Sequence, residues 1–152
     1  MGCVSSSSKV AEIDLQPKEA QINVEGEWKR LHSIIRWNKE AEIAELKKIL
    51  KDNPQAVALK DSGNGNYPLH IAAQNGHSTL ADILINKGAD VNAINGKGNT
   101  PLHMAIEYDY FECSQYLVKA GADMNIANHS GWSVISPFIF YTQTVCTFIS
   151  SK

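Results

Sequence analysis

Apolar residues along the chain fall in short clusters at helical spacing. Leu69, Ala72 and Ala73 form one stripe, and Leu80, Ile83 and Leu84 supply the i, i+3, i+4 face of a second. Between them Asn75-Gly76-His77 interrupts the pattern, and Gly88 closes the second run as a residue suited to positive φ. The same two stripes return as Leu102, Ala105 and Ile106, then Cys113, Tyr116 and Leu117. Each unit therefore predicts two antiparallel helices and a turn, over 68–75 with 78–86 and over 101–108 with 111–120. The small Ala residues let neighbouring helices approach closely. Upstream, Leu31-His32 followed by Ile43, Leu46, Ile49 and Leu50 predicts a divergent pair over 28–38 and 41–52. Lys39, Lys47, Lys48 and Lys51 alternate there with Glu40, Glu42 and Glu45, the solvated outer face expected of a terminal capping unit.

One offset relates the units. Pro68 and Pro101, Leu69 and Leu102, His70 and His103, Ala72 and Ala105, Gly88 and Gly121, and Asn92 and Asn125 all stand 33 residues apart, as do Gly65, Gly98 and Gly131 in turn. Such a period signals stacked units that cannot bury their apolar faces alone. Thr100 is placed to cap a helix that opens with Pro101, where a missing N–H loses nothing. Tyr67 holds the equivalent place in the preceding unit and lacks that capping ability. Asp109 and Tyr110 replace Gly76 and His77, and Asp enters the left-handed region less readily than Gly. Leu31 to Leu69 spans 38 residues, whereas Ala56 keeps the 33-residue offset to Ala89. The additional residues are thus expected between the two helices of the first pair, near Trp37 to Glu42.

Thr100-Pro101-Leu102-His103-Met104-Ala105 and the turn Gly88-Ala89-Asp90-Val91-Asn92-Ala93 resemble the ankyrin repeat. The resemblance implies an all-α ankyrin-repeat solenoid of stacked helix pairs, with a divergent N-terminal capping repeat and a truncated last repeat. It also implies that the rings of His70 and His103 bond backbone between units. The expected organisation is a disordered, lipidated tether over 1–26 and an array over 27–135, followed by an irregular apolar tail over 136–152. Within the array the divergent repeat covers 27–60, two full repeats cover 61–93 and 94–126, and an incomplete one begins over 127–135. In that last unit Gly131-Trp132-Ser133-Val134-Ile135 keeps register until Pro137 falls inside the expected helix.

The 152 residues suffice for one domain with a core, and a formal net charge of -2 without a basic cluster argues against nucleic acid as a partner. Three cysteines without CxxC spacing suit a reducing compartment rather than a disulfide framework or zinc site. No apolar stretch reaches the ~20 residues that span a bilayer, and a Sec signal is not expected. Met1-Gly2-Cys3-Val4-Ser5-Ser6 matches the myristoylation pattern, with Gly2 as acceptor. One myristoyl chain binds membranes only marginally, so Cys3 is the candidate for a second, palmitoyl chain. The expected location is cytoplasmic, on the inner face of a membrane if the chain is acylated.

No catalytic, cofactor or metal constellation is predicted: there is no HExxH, no phosphate loop and no paired acid and base. What remains is a protein-interaction module that takes a protein partner and no small-molecule substrate, read as a membrane-tethered adaptor. The alternative is a regulatory or inhibitory subunit, or a fragment of a larger signalling protein or enzyme. Ile94, Lys97, Asn99, Glu107, Tyr108 and Trp132 are the candidate partner-binding residues, at turn and helix positions that the resembled family varies for binding. Tyr108 and Trp132 carry the aromatic surface in which interface energy concentrates.

Overall fold

The computed structural model describes residues 24–135. Its helices are α1 (Val24–Trp37), α2 (Glu40–Asp52), α3 (Pro68–Gln74), α4 (Ser78–Asn86), α5 (Pro101–Glu107) and α6 (Phe111–Lys119), with a short 3-10 helix at Pro54–Ala58. No strand occurs among the described residues. Each odd helix pairs with the even helix that follows it, α3 lies between α1 and α5, and α4 packs on α6. The result is an all-α stack in which every unit uses its neighbour as part of its core. The expected tether over 1–26 is shorter than its bounds, since 24–26 open α1 as helix; its remainder, with Gly2 and Cys3, and the expected apolar tail over 136–152 lie outside the described residues.

The stripes read from the sequence meet along the middle of the stack. Leu31, Ile35, Leu46, Leu50, Leu69, Leu80, Leu84, Leu102 and Leu117 are all essentially without solvent contact. Each such leucine contributes about 1.5–3 kcal/mol by leaving water. Ala72, Ala73 and Ala105 are equally buried and set the close approach of α3 and α5. Cys113 fills the place of Leu80, and burial pushes its thiol up to about 11. It is a core side chain, not a nucleophile poised at neutral pH.

Helix starts follow local chemistry. Thr100 Oγ1 accepts the His103 N–H, while His103 Nδ1 accepts the Thr100 N–H at 3.1 Å. At Tyr67 only the second half of this box survives, a 3.4 Å bond from its N–H to His70 Nδ1, because a phenol on a rigid ring cannot fold back onto its own helix. The ring instead stacks on His70, with the Lys60 ammonium 5.1 Å from its centroid.

The helix pairs turn through one left-handed residue each: Asn38 at φ 44°, Gly76 at φ 71° and Asp109 at φ 60°. Asp109 thus occupies the conformation that its alignment with Gly76 demands. The additional residues of the first unit sit differently from expectation. The connection is only Asn38 and Lys39, and the length is taken up by an extra first turn in α2, which has 13 residues against nine in α4. Glu40 and Glu42 in that turn favour helix because they lie at the positive end of its dipole. Past α6, a bond of 2.8 Å from Asn128 N–H to the Trp132 carbonyl closes a fourth turn, and Val134 is buried against the core.

Gly76 cannot be replaced without cost, since an added Cβ would stand 2.3 Å from the Tyr110 ring. Gly88 has the same sign of φ, at 93°, but open space around it. Gly76→Ala should therefore lower stability by about 2 kcal/mol or more, and Gly88→Ala by about 1 kcal/mol. Urea unfolding of both variants checks this, and equal losses would show that the Tyr110 contact is immaterial.

Candidate partner-binding surface

The turns that precede each odd helix are held by amide side chains. Asn95 Oδ1 accepts the N–H groups of Lys97 and Asn99, at 2.9 and 3.0 Å, and Asn128 Oδ1 does the same for Ser130 and Trp132. Asp61 plays this part in the first full repeat, accepting from Gly63 and Asn64. These bonds to backbone hold its carboxyl below the usual range. Successive turns are then tied together side by side: Gly96 N–H to the Asn64 carbonyl at 2.9 Å, and His129 N–H to the Lys97 carbonyl at 3.1 Å. Asn95 reaches Asn66 and Asn128 reaches Asn99 through 2.8 Å amide bonds. The approach is so close that a Cβ on Gly96 would lie 2.9 Å from the Asn64 oxygen.

This ladder corrects one of the expected contact residues. Asn99 is 7% exposed, and its side chain is committed to Asn128 and to the Met104 sulfur. It therefore serves the stack and does not face a partner. The ladder was missed because its asparagines, 29 residues apart, are not neighbours in the repeat alignment. The recurrence of Asn66 and Asn99 with Asn95 and Asn128 was the signal available.

The two histidines are fully buried. His70 Nε2 lies 2.8 Å from the Asn99 carbonyl, and His103 Nε2 lies 3.1 Å from that of Trp132. Because each Nδ1 accepts a backbone N–H, the ring must be neutral with its proton on Nε2, which donates to the next unit. Burial pushes His70 down to about 4, against the pull of the Asn99 carbonyl. His103 is lowered too, chiefly by burial. Neither ring has a face or nitrogen left for a substrate.

The residues that remain accessible gather elsewhere. Trp37, Asn75 and Tyr108 are equivalent in the three units, each at the C-terminal end of its first helix. Trp37 is 65% exposed and Tyr108 is 47% exposed. With two helix spacings between them they stand about 16–20 Å apart along one edge. Gln74 Nε2 donates to the Tyr108 hydroxyl at 3.1 Å, and the Arg36 guanidinium lies 5.9 Å from the Trp37 ring centroid. Glu107 and the partly exposed Tyr110 flank Tyr108. Trp37 was not among the expected contacts; the interruption of the 33-residue offset hid its equivalence to Tyr108.

Ile94 and Lys97 are exposed on the turn that leads to α5. Trp132 is only partly exposed: its ring meets His103 edge-on at 4.7 Å and roofs the start of α5. The expected surface is therefore split into an aromatic edge around Tyr108, a turn around Ile94 and Lys97, and the partly exposed Trp132 against His103. Among the described residues no three metal-binding side chains converge, and no helix is long and apolar enough to cross a membrane.

Comparison with known proteins matches residues 18–128 to ankyrin repeats, in three copies. The chain is 37% identical over 57 residues to the E3 ubiquitin-protein ligase XBAT33 of Arabidopsis thaliana, covering 38% of this chain and 11% of that one. It is 50% identical over 48 residues to delta-latroinsectotoxin-Lt1a of Latrodectus tredecimguttatus, covering 32% of this chain and 4% of that one. The matches thus span about a tenth or less of these relatives' lengths.

The buried neutral rings make stability pH-dependent. An unfolded His70 titrates near its ordinary 6.5 and the folded one near 4, so between those values the unfolded chain binds more protons. The stabilisation is complete above pH ~6.5 and is lost as pH falls toward ~4, by on the order of 3 kcal/mol from His70. Urea midpoints at pH 7 and pH 4.5 measure it. A midpoint that does not fall would contradict the neutral, buried assignment.

Proposed function

The chain belongs to the ankyrin-repeat family and carries a protein–protein interaction module of non-catalytic fold; from this we propose that it acts as a membrane-tethered adaptor. The observation that carries the reading is the aromatic edge. The stack buries its core between units yet leaves Trp37 and Tyr108 in water, at equivalent places. Large aromatic rings gain most when a partner covers them, and Trp and Tyr dominate interface energetics. Tyr108 is also partly held in place by Gln74, which reduces the ordering cost of binding. The partner is a protein whose apolar ridge fits this edge, with Glu107 and Arg36 beside it for charged contacts.

The tether rests on Gly2 and Cys3. An N-terminal glycine acceptor followed by a thiol supplies the two signals that stable anchoring needs, and it would hold the array at the inner face of a membrane. A second reading, as a regulatory unit of a larger signalling protein or enzyme, is favoured by one observation: the matched relatives are far longer chains, one of them a ubiquitin ligase.

Two experiments decide between these. Trp37→Ala and Tyr108→Ala should each weaken capture of a partner from cell extract by ~2 kcal/mol or more while changing the unfolding midpoint little; Lys119→Ala, at the end of α6, should leave capture intact. If the two aromatic variants retain full affinity, the edge is not the interface. Gly2→Ala should move the protein into the soluble fraction, and Cys3→Ser should leave weak, reversible membrane binding. Unchanged membrane association of Gly2→Ala would end the tether reading.

A further inference from the structure

Between the second and third units, the loops that follow the even helices are bridged by one side chain. Asn92 Oδ1 accepts the Asp123 N–H at 2.8 Å, and its Nδ2 donates to the Gly121 carbonyl at 3.4 Å. The loop one unit earlier presents the same two backbone groups, the Asp90 N–H and the Gly88 carbonyl. The two loops share their conformation. Gly88 and Gly121 have φ of 93° and 97°, Ala89 and Ala122 N–H bond back to Leu84 and Leu117, and Asp90 and Asp123 each cap the N–H two residues on. What differs is the bridge. The residues of the first unit that could supply it are Ala58 and Leu59, which carry no amide. Accordingly the Asp90 N–H and Gly88 carbonyl have no hydrogen-bond partner among the described residues.

Beside these two groups lies a pocket of about 410 Å³ that is open to solvent. Gly88 and Asp90 form part of its wall, and Val57, Ala58, Leu69 and Ile94 supply its apolar surface. It combines an apolar floor with one donor and one acceptor carried by a loop of the same conformation as the one Asn92 bridges. We infer that this pocket binds a primary carboxamide joined to an aliphatic group, the side chain of an Asn or Gln beside an aliphatic residue in the protein partner.

The chemistry is selective. A primary carboxamide carries its oxygen and an N–H on the same side, as the Asn92 bridge requires, whereas a trans backbone amide points them in opposite directions. A carboxylate has no donor for the Gly88 carbonyl and meets the Asp90 side chain. The site rests on the reading of the array as a protein-binding module, and it lies on the turn carrying Ile94 rather than on the Trp37–Tyr108 edge.

The test titrates the ¹⁵N-labelled full chain with 3-methylbutanamide and, separately, with 4-methylpentan-2-one, a neutral near-isostere that lacks the N–H donor. Saturable shifts of the Ala89 and Asp90 amide signals are expected with the amide. The ketone should bind about threefold to tenfold more weakly, the worth of one hydrogen bond. Ala93→Leu, which places a larger side chain in the pocket wall, should abolish the shifts. Equal affinity for amide and ketone, shifts centred away from Asp90, or no saturable shift would each overturn the proposal. The comparison of amide with ketone on the native chain stands whether or not Ala93→Leu folds. Because no partner is needed, failure here leaves capture through Tyr108 untouched, and failure of that capture leaves this titration readable.

Discussion

The stack depends on a buried imidazole that must stay neutral. His70 and His103 are each without solvent contact, and each does two things at once. Through Nδ1 it satisfies the N–H that opens its own helix, and through Nε2 it holds the carbonyl of the turn 29 residues on. One planar ring thereby fixes both the start of a helix and its distance from the next unit. A charged ring could not do this, because its second proton would face a donor. The same burial that excludes water also lowers the ring's basicity, so structural role and electrostatics have one cause.

Around that pin the units differ in how well they obey the repeat. The interhelix turn needs one left-handed residue, and the chain supplies it as Asn38, Gly76 and Asp109. Asn and Asp tolerate that region better than most residues, but only Gly76 also has to admit a neighbour, the Tyr110 ring. The cap shows the same gradation: Thr100 makes both halves of the box, whereas Tyr67 makes one and turns its ring onto His70 and Lys60. Each departure from the pattern is absorbed by a specific contact nearby.

The first unit departs most, and its departures leave part of the available surface. Its longer α2 and its 3-10 loop bury Leu46, Leu50, Ala56 and Val57 but leave Trp37 exposed at the end of α1. Ala58 and Leu59 carry no side-chain amide, and a pocket lined by Ala58 and Ile94 lies where they meet the next unit's loop. Where the divergent unit meets a regular one, the regular unit still presents groups that a regular neighbour would cover.

The sequence by itself determined the fold: the helix pairs, their period, the core stripes, Pro101 with its Thr100 cap and the turn glycines are all local or periodic features, and each is legible where it stands. It also marked Tyr108, Lys97 and Ile94 as exposed positions of a repeat. Other features were decided only by tertiary structure, since they depend on residues that meet across units. Asn99 reads as a surface turn residue until Asn128 and the His70 ring are brought against it. Trp132 reads as an anchor until its ring lies on His103. Trp37 aligns with Tyr108 only once the extra residues are seen to lengthen α2, and the vacant bridge at Gly88 and Asp90 appears only beside the filled one at Asn92. Periodicity carries what a residue does within its own unit, and stacking decides what that residue owes to the next.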